Sequence, residues 1–233
     1  MATVEEIKDS FFHLFFAHVC DGCGSDLTNR ESRLCLQCIS QLPGTSFHLH
    51  ADNPVEKIFW GRLPVVNATA QYYFTKESLM QRLMHQLKYK GNKELGKQLG
   101  RLMGIDLGKT NRFTNVDALI PLPLFPAREK QRGYNQAAIL CEGIAEIMNV
   151  EILKNTIRRI QPTDSQTKKG RLERWENMQG KFELVQPERI RNKHVLVVDD
   201  VITTGATLEA CGLELLKVVH ARVSIATLCV ASR

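Results

Sequence analysis

HVLVVDDVITTGATL, residues 194–208, begins as a strand and finishes as the mouth of a helix. Residues 195–198 are four consecutive aliphatic side chains, the pattern of a strand buried on both faces. Asp199 and Asp200 are then expected where that strand ends, in the crevice beyond the carboxyl ends of a parallel sheet where ligands collect. The turn Thr203, Thr204, Gly205, Ala206 and Thr207 opens a helix whose free N–H groups and positive dipole end attract an anion. Carboxylates that accept from sugar hydroxyls, followed by a cradle for a phosphate, describe a sugar 5-phosphate end to end. A plain capped helix with Thr204 or Thr207 as N-cap accounts for the turn but not for two adjacent acids.

Working outward, strand and helix alternate from residue 116 onward: strand 117–122, helix 136–148, strand 152–158, strand 194–199, helix 207–218, strand 223–230. That alternation predicts a parallel sheet with right-handed crossovers. Upstream, residues 65–74 are β-branched and aromatic and are expected as a strand or hairpin, while 78–89 and 93–103 carry apolar residues at helical spacing. Residues 159–181 are long, polar and mostly cationic, so they are expected to be a functional lid or disordered.

The amino-terminal part has a different character. Of seven cysteines, Cys20, Cys23, Cys35 and Cys38 fall in the pattern C-x2-C-x11-C-x2-C. Thiolates paired two residues apart, supplied twice, make the four soft ligands of a tetrahedral zinc site. Two disulfides are the alternative, disfavoured in a cytosolic chain. Cys141, Cys211 and Cys229 sit among apolar residues and are expected as inert packing. Residues 4–16 show helical amphipathic spacing and should dock on something else. The loop 43–54 is the expected boundary, which makes residues 1–55 an N-terminal helix and four-cysteine zinc module and 56–233 the larger domain.

At 233 residues and 43% apolar, the chain has room for one α/β domain and a small appendage. The run FFHLFF (11–16) is far too short to span a bilayer, and its acidic upstream flank does not suit a signal peptide, so a cytoplasmic protein is expected. A formal charge of +6 suits an anionic partner, phosphate or nucleic acid. Arg30 and Arg33 together with Lys88, Lys90, Lys93 and Lys97 either form a continuous cationic face or a solvated charged surface.

The stretch 194–208 resembles the phosphoribosyl pyrophosphate (PRPP) fingerprint of type I phosphoribosyltransferases: four apolar residues, two acids and a Thr-Thr-Gly turn. Together with LKYKG (87–91), PLPL (121–124), RGYNQA (132–137) and ER..N..G.F (173–182) behind a four-cysteine module, it makes the chain similar to the ComF family of ComFC-like and GntX-like proteins. The resemblance covers nearly everything from Cys20 onward. It implies an α/β, type I phosphoribosyltransferase fold, with a central, mainly parallel sheet flanked by helices and a small N-terminal zinc-ribbon-like module.

Laid onto this sequence, the resemblance implies that Asp199 and Asp200 hold the ribose hydroxyls and that Thr203, Thr204, Gly205, Ala206 and Thr207 bind the 5-phosphate. Pro121, Leu122 and Pro123 would face the pyrophosphate, with Arg128 and Arg132 as cationic partners. A hood containing Gln166, Arg171 and Arg174 would close over substrate and exclude water. Magnesium would arrive with PRPP, held mainly by the pyrophosphate oxygens. Phe125, Lys168, Lys169 and Lys181 depart from the family's usual pattern, which bears on the acceptor contacts and the hood rather than on the phosphate turn. Asp199 or Asp200 would stabilise positive charge developing on the ribose in a transfer that releases pyrophosphate, and no general base stands out. Two function classes follow: a phosphoribosyltransferase with an unknown nitrogenous acceptor, or a non-enzymatic PRPP sensor that binds single-stranded DNA and associates with DNA-uptake machinery. A purely structural zinc scaffold is a third, disfavoured by the intact phosphate turn.

Overall fold

The computed structural model describes residues 18–27, 29, 31–161 and 180–231. The N-terminal helix expected over 4–16, Arg30, and the hood residues Gln166, Arg171 and Arg174 lie outside them, as do Lys168 and Lys169.

Five parallel strands form the sheet: β1 (Ala68–Phe74), β2 (Ala118–Pro121), β3 (Glu151–Ile152), β6 (His194–Ile202) and β7 (Arg222–Ala231), in the order β1-β7-β6-β2-β3. The aliphatic run of β6 is buried on both sides because its alternate residues enter separate cores. Leu196 and Val198 pack with Leu83, Leu87, Leu99 and Leu140, and Val195 and Val197 pack with Phe59, Leu208 and Leu215. This is the two-faced burial that a parallel sheet requires.

Three helices cover the first face: α3 (Leu79–Tyr89), α4 (Lys93–Gly108) and α6 (Gln136–Met148). Ser78, Asn92 and Asn135 cap them, each side chain accepting from a backbone N–H in the first turn. The second face is covered by α2 (Pro54–Phe59) and α7 (Ala206–Leu215), while α1 (Leu36–Ser40) belongs to the cysteine module and α5 (Pro126–Arg132) follows β2. Cys20, Leu34 and Cys38 belong to the same core as Met80 and Leu83, so the module packs on the first face. Gln86 Nε2 donates to the Asp21 carbonyl at 2.7 Å and the Arg33 N–H donates to Gln98 Oε1 at 2.5 Å, joining it to α3 and α4.

Residues 43–53, where the domain boundary was expected, lie along β1. Thr45 N–H donates to the Gln71 carbonyl (3.0 Å) and Tyr73 N–H to the Pro43 carbonyl (2.8 Å). Asn53 then caps α2 through Oδ1, and its Nδ2 reaches the carbonyls of Phe47, His50 and Ala68 (3.3, 3.0 and 2.9 Å).

The strand expected over 152–158 is two strands. Glu151 and Ile152 pair with β2, after which the chain turns at Lys154 and Asn155 and β4 (Ile157–Arg159) leaves the sheet to pair antiparallel with β5 (Phe182–Leu184). Apolar alternation runs through both pieces, which hides the break. Helix α4 continues five residues beyond the expected Met103 because Leu107 extends its buried row.

Helices α4 and α6 approach until their backbones nearly touch. A methyl group on Gly100 would stand 2.2 Å from the Leu140 carbonyl oxygen, and one on Gly143 would stand 2.1 Å from that of Lys97. Neither obstacle is a side chain that can rotate away. Gly143→Ala should therefore force the helices apart and lower stability by about 3 kcal/mol. Gly108→Ala, at the end of α4 with nothing within 4 Å of the added methyl, should be neutral or slightly stabilising. Urea denaturation of the two variants measures the contrast, and equal losses would contradict it.

Candidate functional site

From β2 the chain proceeds through α6 to β3 on one side, and from β6 through α7 to β7 on the other. The direction of winding thus reverses between β2 and β6, and in such sheets the crevice beyond the carboxyl ends at the reversal is where ligands bind. Strand β2 accompanies β6 only as far as Pro121 opposite Val198, with Leu122 N–H donating to the Val198 carbonyl at 2.9 Å. Strand β6, expected to stop at Asp199, continues beside β7 to Ile202. Asp199 and Asp200 are therefore not beyond a strand end. They sit on a stretch that is paired on one side and opened on the other by the departure of β2.

Both carboxylates are half-buried. Asp199 Oδ1 accepts from the Asp200 backbone N–H at 2.8 Å, and Asp200 Oδ2 lies 3.1 Å from Lys88 Nζ on α3. Burial, and then the neighbouring charge of Asp200, pushes the Asp199 carboxyl up to about 8. A carboxyl raised in this way keeps its proton in the folded chain while the unfolded chain has lost it. Stability should therefore fall as pH rises from the ordinary carboxylate range towards 8. Asp199→Asn, which mimics the protonated acid, is expected to be more stable than wild type by a margin that widens between about pH 5 and 8 and reaches about 1 kcal/mol or more. Urea unfolding at the two pH values reads that margin, and a constant one would overturn the assignment.

After Ile202, the turn leads into α7. Gly205, with φ +75°, is its N-cap, and no side chain caps the first turn. The Thr204 or Thr207 cap considered from sequence is not formed, so no capping side chain occupies the first N–H groups of α7. Gly205 is required twice: its backbone is left-handed, and a methyl there would meet Ile58 Cγ2 at 2.7 Å. Thr203 is exposed, Thr204, Ala206 and Thr207 are half-buried. Arg62 holds the turn from behind. Its Nη1 donates to the carbonyls of Ile58 (3.0 Å) and Thr204 (3.2 Å), and its Nη2 pairs with the buried Glu209.

Lys88, the partner of Asp200, also lines a cationic cleft of about 500 Å³ with Tyr89, Arg128, Gln131 and Arg132. Arg128 is exposed on α5, a helix the sequence reading did not anticipate. Arg132 is half-buried, with Nη1 donating to Gln136 Oε1 at 2.7 Å and its guanidinium 5.9 Å from the centre of the Tyr89 ring. Much of the RGYNQ motif serves the scaffold. Asn135 caps α6 and donates to the Leu122 carbonyl at 2.9 Å, and the Tyr134 hydroxyl donates to the Leu87 carbonyl, so the 121–124 loop and α3 are tied to one helix end. Pro121 and Leu122 are buried and Pro123 half-buried in that loop. Lys88 thus joins the acid pair to a cleft lined by three cations, and the uncapped helix N-terminus follows the acids along the chain.

The description "Phosphoribosyl transferase domain" matches residues 140–233. "DNA utilization protein YhgH" of Shigella flexneri is 30% identical over 215 residues, 91% of this chain and 89% of that protein. The chain belongs to the ComF family. Within this ComF-family protein, built on a mainly parallel sheet flanked by helices, the residues matched to the phosphoribosyltransferase domain include the acid pair and the turn after it, while Lys88, Arg128 and Arg132 lie before them. "Competence protein F" of Haemophilus influenzae is 28% identical over 81% of this chain and 74% of its own length, and "Competence protein ComFC" of Bacillus subtilis is 24% identical over 82% and 74%. Among solved structures, a hypoxanthine phosphoribosyltransferase from Staphylococcus aureus aligns at TM-score 0.37 and 14% identity, covering 66% of this chain and 71% of that one.

The ComF-family chain carries a second constellation in its amino-terminal module. The sulfurs of Cys20, Cys23, Cys35 and Cys38 all lie within 4.8 Å of one another, and those of Cys23 and Cys35 are 3.7 Å apart. Sulfurs about 2.3 Å from a central zinc stand about 3.8 Å apart, so the cluster fits a tetrahedral thiolate site. Backbone N–H groups already point at these sulfurs: Cys35 to Cys20 Sγ (3.2 Å) and Cys38 to Cys35 Sγ (3.3 Å). Hydrogen bonds from Ser25 lower the Cys23 thiol to about 6, whereas burial holds Cys38 well above the usual thiol range. Cys141, Cys211 and Cys229 are buried, and burial pushes all three thiols up.

Sequence reasoning did not single out Arg62, Glu209 or Arg159 for this site. Arg159, on β4, is buried with its guanidinium 5.6 Å from the Phe182 ring centre. Burial and Arg128 disfavour its charge while Asp199 favours it, so its guanidinium is within electrostatic reach of Asp199. The sequence Ile157-Arg158-Arg159 does not set Arg159 apart from its exposed neighbour Arg158; only the burial of alternate residues in the strand does. Of the expected cationic face, Arg33 pairs with Asp21 (2.9 Å), Lys97 pairs with Glu146, and Lys93 lies 5.3 Å from the Tyr134 ring centre. No helix among the described residues is long and apolar enough to cross a membrane.

Proposed function

We propose that this chain binds PRPP and transfers its phosphoribosyl group to a nitrogenous acceptor with release of pyrophosphate. The observation that carries the reading is the half-buried acid pair, joined through Lys88 to a cationic cleft and followed along the chain by an uncapped helix N-terminus, where the sheet's winding reverses. Asp199 and Asp200 accept from the ribose 2- and 3-hydroxyls. Thr203, Thr204, Gly205, Ala206 and Thr207 hold the 5-phosphate with backbone N–H groups and hydroxyls. The loop Pro121, Leu122 and Pro123, with Arg128 and Arg132, faces the pyrophosphate. Magnesium, when bound with the substrate, neutralises charge on the departing pyrophosphate. As the bond to ribose C1 lengthens, positive charge grows on the sugar, and the Asp199–Asp200 pair stabilises it electrostatically. Gln166, Arg171 and Arg174 would belong to a hood that keeps water out. Zinc in the four-cysteine cluster would be structural, since four thiolates leave no open position.

A second reading is favoured by the names of the relatives, which speak of DNA utilization and competence. In it, PRPP is sensed rather than consumed, and the chain binds single-stranded DNA beside DNA-uptake machinery in the cytoplasm. One experiment separates the two. Isothermal calorimetry with magnesium and PRPP establishes binding, and a screen of nucleobases and related amines for pyrophosphate release then tests turnover. Pyrophosphate release with any acceptor supports the transferase. Binding without release, alongside salt-sensitive affinity for single strands, supports the sensor. No PRPP binding would remove both.

A further inference from the structure

Lys88 occupies the last turn of α3 and faces two chemistries at once. Its Nζ lies 3.1 Å from Asp200 Oδ2, with side-chain exposures of 22% and 14% for the lysine and the aspartate. The same side chain lines the cleft whose other walls include Arg128 and Arg132. The Tyr134 hydroxyl, donating to the carbonyl of Leu87, fixes the backbone one residue before it. The lysine's stem thus leaves a fixed helix end at the seam between the acids and the cations.

A ligand with hydroxyls at one end and a dense anion at the other must place its hydroxyls on Asp200 and its anion in the cleft, and Lys88 stands between the two positions. We infer that Lys88 is an exchange residue, paired with Asp200 in the ligand-free chain and transferred to the ligand's pyrophosphate when the ribose hydroxyls take its place on the carboxylate. This deepens the PRPP reading and rests on it. The exchange leaves neither group without a partner: Asp200 passes from an ammonium to a hydroxyl donor, and the ammonium passes from a carboxylate to a more highly charged anion. A compact ammonium on a flexible four-carbon stem suits such a swap better than a planar guanidinium locked into a fork. It also makes the site discriminate. A ribose phosphate lacking the pyrophosphate must break the ion pair with nothing to offer the lysine in return.

The test is calorimetry of wild type, Lys88→Gln and Lys88→Arg with two probes, PRPP with magnesium and ribose 5-phosphate. Thermal melts confirm that each variant is folded. Lys88→Gln should weaken PRPP by more than about tenfold while leaving ribose 5-phosphate unchanged or tighter, because Asp200 is now unopposed. Lys88→Arg should recover part of the PRPP affinity. If Lys88 only positions Asp200, Lys88→Gln will weaken both probes by the same factor, and that result overturns the exchange while leaving the PRPP reading standing. Unchanged affinity for both probes also overturns it. Wild type that binds neither probe defeats the PRPP reading itself, and the exchange with it.

Discussion

Asp200→Asn combined with Thr204→Val should lower affinity for PRPP with magnesium by more than about a hundredfold, the product of roughly tenfold for each change. The two substitutions act at opposite ends of the ligand. Asparagine keeps the shape of Asp200 but removes the charge that strengthens hydrogen bonds from the ribose hydroxyls. Valine keeps the branched shape of Thr204 and removes one phosphate donor. Neither should disturb the scaffold, because the turn's backbone is held by Arg62 at the Thr204 carbonyl and by the packing of Gly205 on Ile58 and Phe59, which both variants retain. Calorimetry giving the double variant the same affinity as wild type would refute the assignment of this crevice.

The second large effect concerns metal. The purified chain should carry one zinc, and Cys35→Ser or chelation should cost the amino-terminal module its structure, since free energies of about 10–16 kcal/mol accompany binding at comparable thiolate sites. Residues 18–42 have few large apolar side chains of their own, and those that are buried, Leu27, Leu34 and Leu42, share the core of α3 and α4. Loss should therefore be graded. Hydrogen exchange is expected to speed up across the module and on the side of α3 beneath it, with β6 and β7 still protected. Folded protein without stoichiometric zinc, or a Cys35→Ser variant with unchanged protection in the module, would sink the zinc assignment.

The sheet was readable because its signals are local. Four aliphatic residues in β6 can only be satisfied by burial on both faces, and β7 and α6 fall within a residue or two of their expected limits. The four-cysteine cluster was readable for the same reason, since spacing alone brings thiols into reach. What escaped depended on pairing between distant segments. Nothing near residues 152–158 says that Ile152 belongs beside Leu119 while Ile157 belongs beside Leu184. The Arg62–Glu209 pair joins residues 147 apart, and Lys88 meets Asp200 only once α3 has docked. The same is true of the acids themselves: the aliphatic run before them placed them at the sheet, but the opening beside them comes from where β2 stops.

The strip formed by residues 43–45 has a consequence for anyone who shortens the chain. Strand β1 is the last of its sheet, and the bonds from Pro43 and Thr45 occupy backbone groups on its outer side. A fragment beginning at residue 56 would leave that side bare, with the Gln71 carbonyl and the Tyr73 N–H open to another molecule's strand. Bare edges recruit copies of themselves. Such a fragment should aggregate through β1 even with its crevice intact, whereas one beginning before Pro43 keeps its own covering segment.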